Sequence, residues 1–259
     1  MPRLAANLTM MFNEVPFLDR FAAAAKAGFT GVEFLFPYDF PAAEIRKRLD
    51  DNGLTQVLFN MPPGDWALGE RGMASLPGRQ PQFRDGVKLA LEYAAALNCK
   101  LVHCMAGIPG KDVAFGTAAA LYATNVAWAA EQASAAGVRL CLEPINHRDM
   151  PGFHLNTMAQ AAAVIAAIGA EKVGLQFDIY HCQITEGDIT KRMELHLPII
   201  AHMQLADVPA RNEPGTGEIG WPYVFRRVDE LGYQGWIGCE YRPAGDTVAG
   251  LAWRQAFGV

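Results

Sequence analysis

At 259 residues the chain is too long for a minimal domain and close to the roughly 250 of a single barrel of alternating strands and helices. Half of it is apolar (51%) and charged residues make up 19%, enough for a large core. The net charge of −5, with no run of like charge longer than Arg46-Lys47-Arg48, excludes a surface built to hold a phosphate backbone.

That triplet reads as the solvated face of a helix over Ala42–Leu49. The opening segment Met1-Pro-Arg-Leu-Ala-Ala-Asn turns polar at Asn7, too soon for a signal peptide, and no stretch approaches the ~20 apolar residues of a membrane span. A cytoplasmic protein is expected. Cys99, Cys104, Cys141, Cys182 and Cys239 are odd in number and lack C-x-x-C spacing, so reduced, buried thiols are expected rather than disulfides, a thiolate zinc site or a nucleophile.

Strand-like runs and stretches of helical period alternate along the chain. Leu4–Thr9 leads to a helix over Pro16–Ala27, Val32–Phe36 to Pro41–Asp51, and Thr55–Asn60 to Gln82–Leu97. Leu101–Met105 precedes Phe115–Ala136, Val138–Glu143 precedes Thr157–Ile168, and Val173–Asp178 precedes Ile189–Leu197. Ile200–Gln204 with Pro222–Leu231, then Trp236–Glu240 with Thr247–Ala256, complete eight pairs, the count of a closed barrel. Gly28, Gly53, Gly137, Gly169 and Gly232 each follow a helix, where a residue without Cβ can form the left-handed cap. An open doubly wound sheet would carry a Gly-rich nucleotide loop after its first strand, and Asn7-Leu-Thr-Met-Met-Phe has no glycine. The predicted fold class is therefore α/β, one (β/α)8 barrel over residues 1–259.

Two connections are long. Asn60–Arg79 is too rich in Pro and Gly for a bare link and reads as a lid, in which Trp66, Glu70 and Arg71 can close over a polar substrate. Asp207–Gly220 is the second.

Four of the apolar runs close on a polar group: Val138-Arg-Leu-Cys-Leu-Glu143, Val173-Gly-Leu-Gln-Phe-Asp178, Ile200-Ala-His-Met-Gln204 and Trp236-Ile-Gly-Cys-Glu240. Burying such groups is costly unless they meet a common partner such as a cation. In a barrel, groups at the carboxyl ends of strands gather around one mouth. Glu143, Asp178, Gln204 and Glu240 form an all-oxygen set suited to Mg²⁺ or Mn²⁺ rather than zinc, and no organic cofactor is called for. Glu143 and Glu240 can also serve as acid and base on opposite sides of a substrate, moving a proton between carbons through a stabilised enediolate. That is the machinery of aldose–ketose interconversion. His202 alternates with Gln204 and lies either beneath the cation or in the core; His147 and His154 belong to the loop after Glu143, as loop-positioning or substrate-contacting groups, and His103 and His196 are read as structural.

The segments Gly31-Val-Glu-Phe-Leu-Phe-Pro-Tyr, Pro63-Gly-Asp-Trp, Glu143-Pro-Ile-Asn-His, Phe177-Asp-Ile-Tyr-His, Glu213-Pro-Gly-Thr-Gly-Glu-Ile and Gly235-Trp-Ile-Gly-Cys-Glu-Tyr resemble the hydroxypyruvate isomerase family, within the larger xylose-isomerase-like barrel group. The resemblance covers essentially the whole chain. It implies interconversion of hydroxypyruvate and tartronate semialdehyde with Glu143 and Glu240 as the acid–base pair, and close relatives isomerise 2-oxo-tetronate, one carbon longer. Related ketose 3-epimerases place a His where this chain has Gln204, which puts the metal's identity in question, and His181 matches a substrate-contacting position in them. Either substrate brings a carboxylate, for which Arg211 is the first candidate and Arg71 the second. Pro-Ile-Asn-His and Pro151-Gly-Phe-His favour hydroxypyruvate, whereas the N-terminal segment and Ala96-Leu-Asn-Cys99 are similar to the oxo-tetronate branch. The expected partner is a small hydroxy- or oxo-acid, not nucleic acid or membrane, with homo-oligomerisation left open. Two other classes compete: a metal-dependent endonuclease, which needs several metals, more His ligands and a basic face, and a non-catalytic sugar-acid sensor, which has no use for two opposed glutamates.

Overall fold

The computed structural model describes residues 2–259. Eight parallel strands follow one another around a closed barrel: β1 (Arg3–Asn7), β2 (Gly31–Phe34), β3 (Thr55–Asn60), β4 (Leu101–His103), β5 (Arg139–Leu142), β6 (Val173–Asp178), β7 (Ile200–Leu205) and β8 (Trp236–Cys239). β1 closes the ring on β8, with Leu4 opposite Ile237 and Ala6 opposite Cys239. The predicted barrel is the fold.

Helices α1 (Arg20–Lys26), α2 (Ala42–Asp51), α3 (Gln80–Leu97), α4 (Phe115–Ala135) and α5 (Met158–Ile168) fall where helical period placed them. So do α7 (Ile189–His196) and α8 (Trp221–Glu230), while the last predicted helix is two short ones, α9 (Thr247–Gly250) and α10 (Ala252–Phe257). Local chemistry explains the boundaries. Thr157 and Gln160 form a reciprocal capping box at the start of α5, and Gly28, Gly53, Gly137, Gly169 and Gly232 all take positive φ at helix ends. The helix not foreseen is α6 (Ile179–Thr185), which follows β6 without a loop because the Asp178 side chain accepts from the N–H groups of Tyr180 and His181.

Apolar residues of alternate register face the helices: Val32, Phe34, Leu140, Leu142, Leu175, Phe177, Met203 and Ile237 belong to one continuous core. A second, small cluster of Ala5, Val57, Leu58 and Cys141, packed against Leu101, Ala201 and Trp236, plugs the barrel's interior below the mouth. All five cysteines are free and buried, as expected. Among the described residues no helix is long and apolar enough to cross a membrane.

Candidate active site

Because side chains alternate along a strand, Arg139, Cys141 and Glu143 share one face of their segment, as do Gly174, Gln176 and Asp178, then His202 and Gln204, then Gly238 and Glu240. Strands β5 and β8 stop one residue short of their glutamates, so Glu143 and Glu240 stand just beyond the ladder. Asp178 lies opposite Gln204 in the β6–β7 register, and Gln204 lies opposite Gly238. All four predicted groups are at the mouth and buried.

Beneath them runs a polar layer centred on a residue the sequence reading passed over, Glu33. Its carboxylate accepts from Asn7 Nδ2 at 2.9 Å and Gln204 Nε2 at 2.9 Å, and pairs with His202 Nε2 at 2.6 Å. Gly238 must be glycine here, because a Cβ would overlap the Glu33 carboxylate. His202 is therefore a partner of Glu33, below the site. Gln204 links the layers: its Oε1 accepts from Gln176 Nε2 at 2.6 Å, and its Nε2 also donates to Glu240 Oε2. As oriented, Gln204 turns its amide N–H groups, not its oxygen, toward the acids.

Glu143, Asp178 and Glu240 face one buried cation, Arg211, whose Nη2 lies 2.9 Å from Glu240 Oε1 and 3.7 Å from Asp178 Oδ2, while Nη1 lies 3.5 Å from Asp149 Oδ2. One guanidinium does not neutralise this many carboxylates. Burial, reinforced by repulsion from Glu240 and Asp178, pushes the Glu143 carboxyl well above its ordinary range. Burial raises Glu240 to about 8 and Asp178 to about 6, even though Arg211 pulls both down. Glu143 Oε1 and Asp178 Oδ2 are buried without any hydrogen-bond partner. Orphaned carboxylate oxygens in an uncompensated acidic cluster fit a bound divalent cation.

Glu143, Asp178 and His181 bring one potential ligand atom each within 4.8 Å of one another. The surrounding hydrogen bonds decide what His181 offers. Asp149 N–H donates to Asn146 Oδ1 at 2.8 Å, which fixes the Asn146 amide so that its Nδ2–H faces His181 Nδ1 at 2.6 Å. His181 Nδ1 is then the acceptor and Nε2 carries the hydrogen, 3.7 Å from both Glu143 Oε1 and Asp178 Oδ2. Burial, with Arg211 and His103 adding to it, lowers the His181 pKa far below the ordinary value, so the ring is a neutral N–H donor. His181, matched by resemblance to a substrate-contacting position, sits in the first turn of α6. His103, read as structural, has Nδ1 3.5 Å from Glu143 Oε2, and burial lowers its pKa to about 3.

A cavity of about 470 Å³ opens above these groups, bordered by Glu143, His181, Arg211, Glu240, Trp66 and Arg71. Trp66 and Arg71 are a unit: the guanidinium stacks 3.7 Å from the indole centre and Nη1 donates to the Trp66 and Glu70 carbonyls. Glu70 is a correction. It does not face the cavity, because its carboxylate accepts from Arg79 Nη2 at 3.1 Å and from Asp65 N–H at 2.6 Å, tying the predicted lid to the start of α3. His147 turns Nε2 to the Phe153 carbonyl at 3.0 Å and His154 packs on Phe115 with the rings tilted by 37°, so both shape the loop after Glu143.

The loop after β7 is organised by Asp207, also missed. Its carboxylate accepts from the N–H groups of Val208, Gly215, Gly217 and Ile219 and from Trp221 Nε1, all at 2.8–3.1 Å. Arg211 within this loop sits at φ +58°, unusual for a residue with a side chain, held by its N–H bond to the Asp207 carbonyl at 2.9 Å. A signal for Glu33 and Asp207 existed: each is a carboxylate beside or within an apolar run, a position that demands partners.

Fold and site together define an acid-lined barrel mouth with a small polar cavity. A family model described as the xylose isomerase-like TIM barrel matches residues 21–257. The chain is 53% identical over 257 residues to the 2-oxo-tetronate isomerase of Cupriavidus necator, covering 99% of each. It is 45% identical over 260 residues to the hydroxypyruvate isomerase of Escherichia coli, covering 99% of this chain and 100% of that one. Among solved structures, one described as an AP endonuclease, family 2, from Brucella melitensis superposes with a TM-score of 0.96 at 48% identity, covering 99% of both chains. An Escherichia coli 3-keto-D-glucoside 4-epimerase, at TM-score 0.78 and 19% identity over 99% of each chain, shares the fold. The chain belongs to the xylose isomerase-like TIM barrel family. The hydroxypyruvate isomerase resemblance read from its motifs is borne out by these relatives.

Proposed function

We propose that this protein is an isomerase of short hydroxy-oxo acids, moving a carbonyl between C2 and C3 through an enediolate. The observation that carries the reading is the pair Glu143 and Glu240, buried at the same mouth: burial favours the protonated form of each, and Arg211 at 2.9 Å from Glu240 is the cation that favours ionising one of them, so the pair can supply an acid and a base. One glutamate takes the C3 proton of the 2-oxo acid. The carbon–hydrogen electron pair becomes the C2–C3 double bond, and the C2 oxygen gains the charge. Transfer of the O3 proton to O2 and return of the abstracted proton to C2 yield the 2-hydroxy-3-oxo isomer. Arg211, against Glu240, and the His181 Nε2–H, beside Glu143, are the donors that would meet the developing oxyanion. Trp66 and Arg71 roof the substrate and exclude water.

The carboxylates of Glu143, Asp178 and Glu240 would hold a divalent cation, Mg²⁺ or Mn²⁺, and Gln204 joins them only with its amide reversed from the orientation seen here. Such a cation supplies charge stabilisation for the enediolate oxygens.

Hydroxypyruvate was the substrate favoured by the motifs around Glu143. The 53% identity to a 2-oxo-tetronate isomerase, against 45% to a hydroxypyruvate isomerase, supports the four-carbon acid. The two differ by one hydroxymethylene, and whether its hydroxyl finds a partner under the lid decides the preference. The test is kcat/KM for each acid, with proton NMR in D₂O following deuterium at the reacting carbon. Turnover of either with exchange at C2 or C3 supports the isomerase; no turnover of both, with tight binding of either, would instead make the site a sensor. The Brucella neighbour's description raises nuclease activity, which the net charge of −5 opposes, and incision of abasic DNA by the metal-loaded protein is the direct check.

A further inference from the structure

We propose that Arg242 binds the substrate's carboxylate and so makes this mouth select an acid over a neutral ketose; the proposal rests on the isomerase reading above. Three arginines border the cavity, Arg71, Arg211 and Arg242. Two are already committed. Arg211 is buried against Glu240, Asp178 and Asp149, so a carboxylate arriving there would meet three acids at close range. Arg71 is stacked on Trp66, with its Nη1 shared between two backbone carbonyls of the lid.

Arg242 differs in both respects. Its side chain is exposed, and among the described residues its guanidinium has no acceptor. Its backbone is held on both sides: the N–H donates to the Arg211 carbonyl at 2.8 Å and its carbonyl accepts from Asn212 Nδ2 at 2.6 Å. A long side chain with free donors therefore starts from a fixed point two residues beyond Glu240. It also borders a neighbouring cavity of about 350 Å³ shared with Asn13, Glu14 and Thr247. The acid in that cavity does not compete for it, since the Glu14 carboxylate accepts from Thr247 N–H at 2.8 Å and Thr247 Oγ1 at 3.1 Å.

The chemistry follows from charge. An anionic substrate entering a mouth walled by Glu143, Asp178 and Glu240 is repelled unless its own carboxylate is met by a cation with unused donors, and a planar guanidinium offers two parallel N–H groups to a carboxylate. A neutral ketose makes no such demand.

Calorimetric binding of glycerate, an unreactive three-carbon hydroxy acid, to the parent chain and to Arg242→Gln, Arg242→Lys and Arg71→Gln tests this, with KM and kcat measured for the two oxo acids alongside. Arg242→Gln should weaken glycerate about 10- to 100-fold and raise KM more than it lowers kcat, with Arg242→Lys recovering part of the loss. Glycerate bound as tightly by Arg242→Gln as by the parent, or a full loss appearing in Arg71→Gln alone, overturns the assignment. An active parent with an unaffected Arg242→Gln sinks the Arg242 assignment and leaves the isomerase standing. A parent that binds glycerate through Arg242 but turns over neither oxo acid sinks the isomerase reading instead.

Discussion

At the scale of single residues, the three mouth acids are held where each would rather carry a proton, and neutralising one should show it. Replacing Glu143 or Glu240 by Gln keeps shape and removes the titrating group, and should lower kcat by about two to four orders of magnitude. Thermal denaturation of the metal-free variants at neutral pH should give a Tm at or above the parent's, because a group that must take up a proton on folding is gone. A variant that isomerises normally removes that glutamate from the chemistry. Glu33 has the opposite role: it satisfies His202, Asn7 and Gln204 at once. Glu33→Ala leaves these donors buried and unpaired, and urea unfolding should report a loss of about 3–5 kcal/mol. A midpoint unchanged from the parent would show that the layer relaxes around the gap. The strand-end acids were legible in the sequence because burial makes a terminal carboxylate conspicuous after an apolar run. Glu33, in mid-strand within Gly31-Val-Glu-Phe, was hidden because its partners lie far away in sequence, with His202 169 positions on.

At the scale of elements, Asp178 shows how one side chain can serve two purposes and conceal one. Its Oδ1 caps α6 while Oδ2 faces Arg211. Reading it as a strand end left no reason to begin a helix, and the seven residues Ile179–Thr185 are too few for period alone to reveal. Asp178→Asn retains capping ability, so circular dichroism should hold while turnover falls. The long Asn60–Arg79 connection was legible from its Pro and Gly content, but which of its polar residues faced the cavity was not, since Glu70 and Arg71 are adjacent and only tertiary contacts send the first to Arg79. Glu70→Gln weakens that tie. We expect faster proteolysis between residues 64 and 72 and a raised KM with kcat little changed; unchanged proteolysis would mean that the Trp66–Arg71 stack holds the segment unaided.

At the scale of the molecule, the acidic mouth makes stability depend on pH. Glu240 near 8, Asp178 near 6 and a raised Glu143 keep protons in the folded state that the unfolded chain has released, so folding stability falls as pH rises through that window. His103 and His181 act the other way, binding protons only when unfolded, but just below about pH 6.5. Above it the acids lead, and toward pH 8.5 the buried thiols, whose pKa values burial raises, add to the same downward slope. Metal-free protein should lose on the order of 2 kcal/mol between pH 6.5 and 8.5, Glu240→Gln should flatten that slope, and Mg²⁺ or Mn²⁺ should restore the parent. A Tm independent of pH, or indifferent to both ions, contradicts the uncompensated cluster. The same molecule contains a region freed from such constraints. Because one carboxylate, Asp207, gathers donors from Val208 through Trp221, the loop's shape is stored at its root, not along its length. Pro209, Ala210, Thr216 and Glu218 are exposed between those anchor points. The segment is then a replaceable cassette: new side chains can be grafted at Ala210, Thr216 and Glu218 to reshape the rim, provided Asp207, Pro209, Gly217 and Arg211 stay, and the barrel below would fold without noticing the exchange.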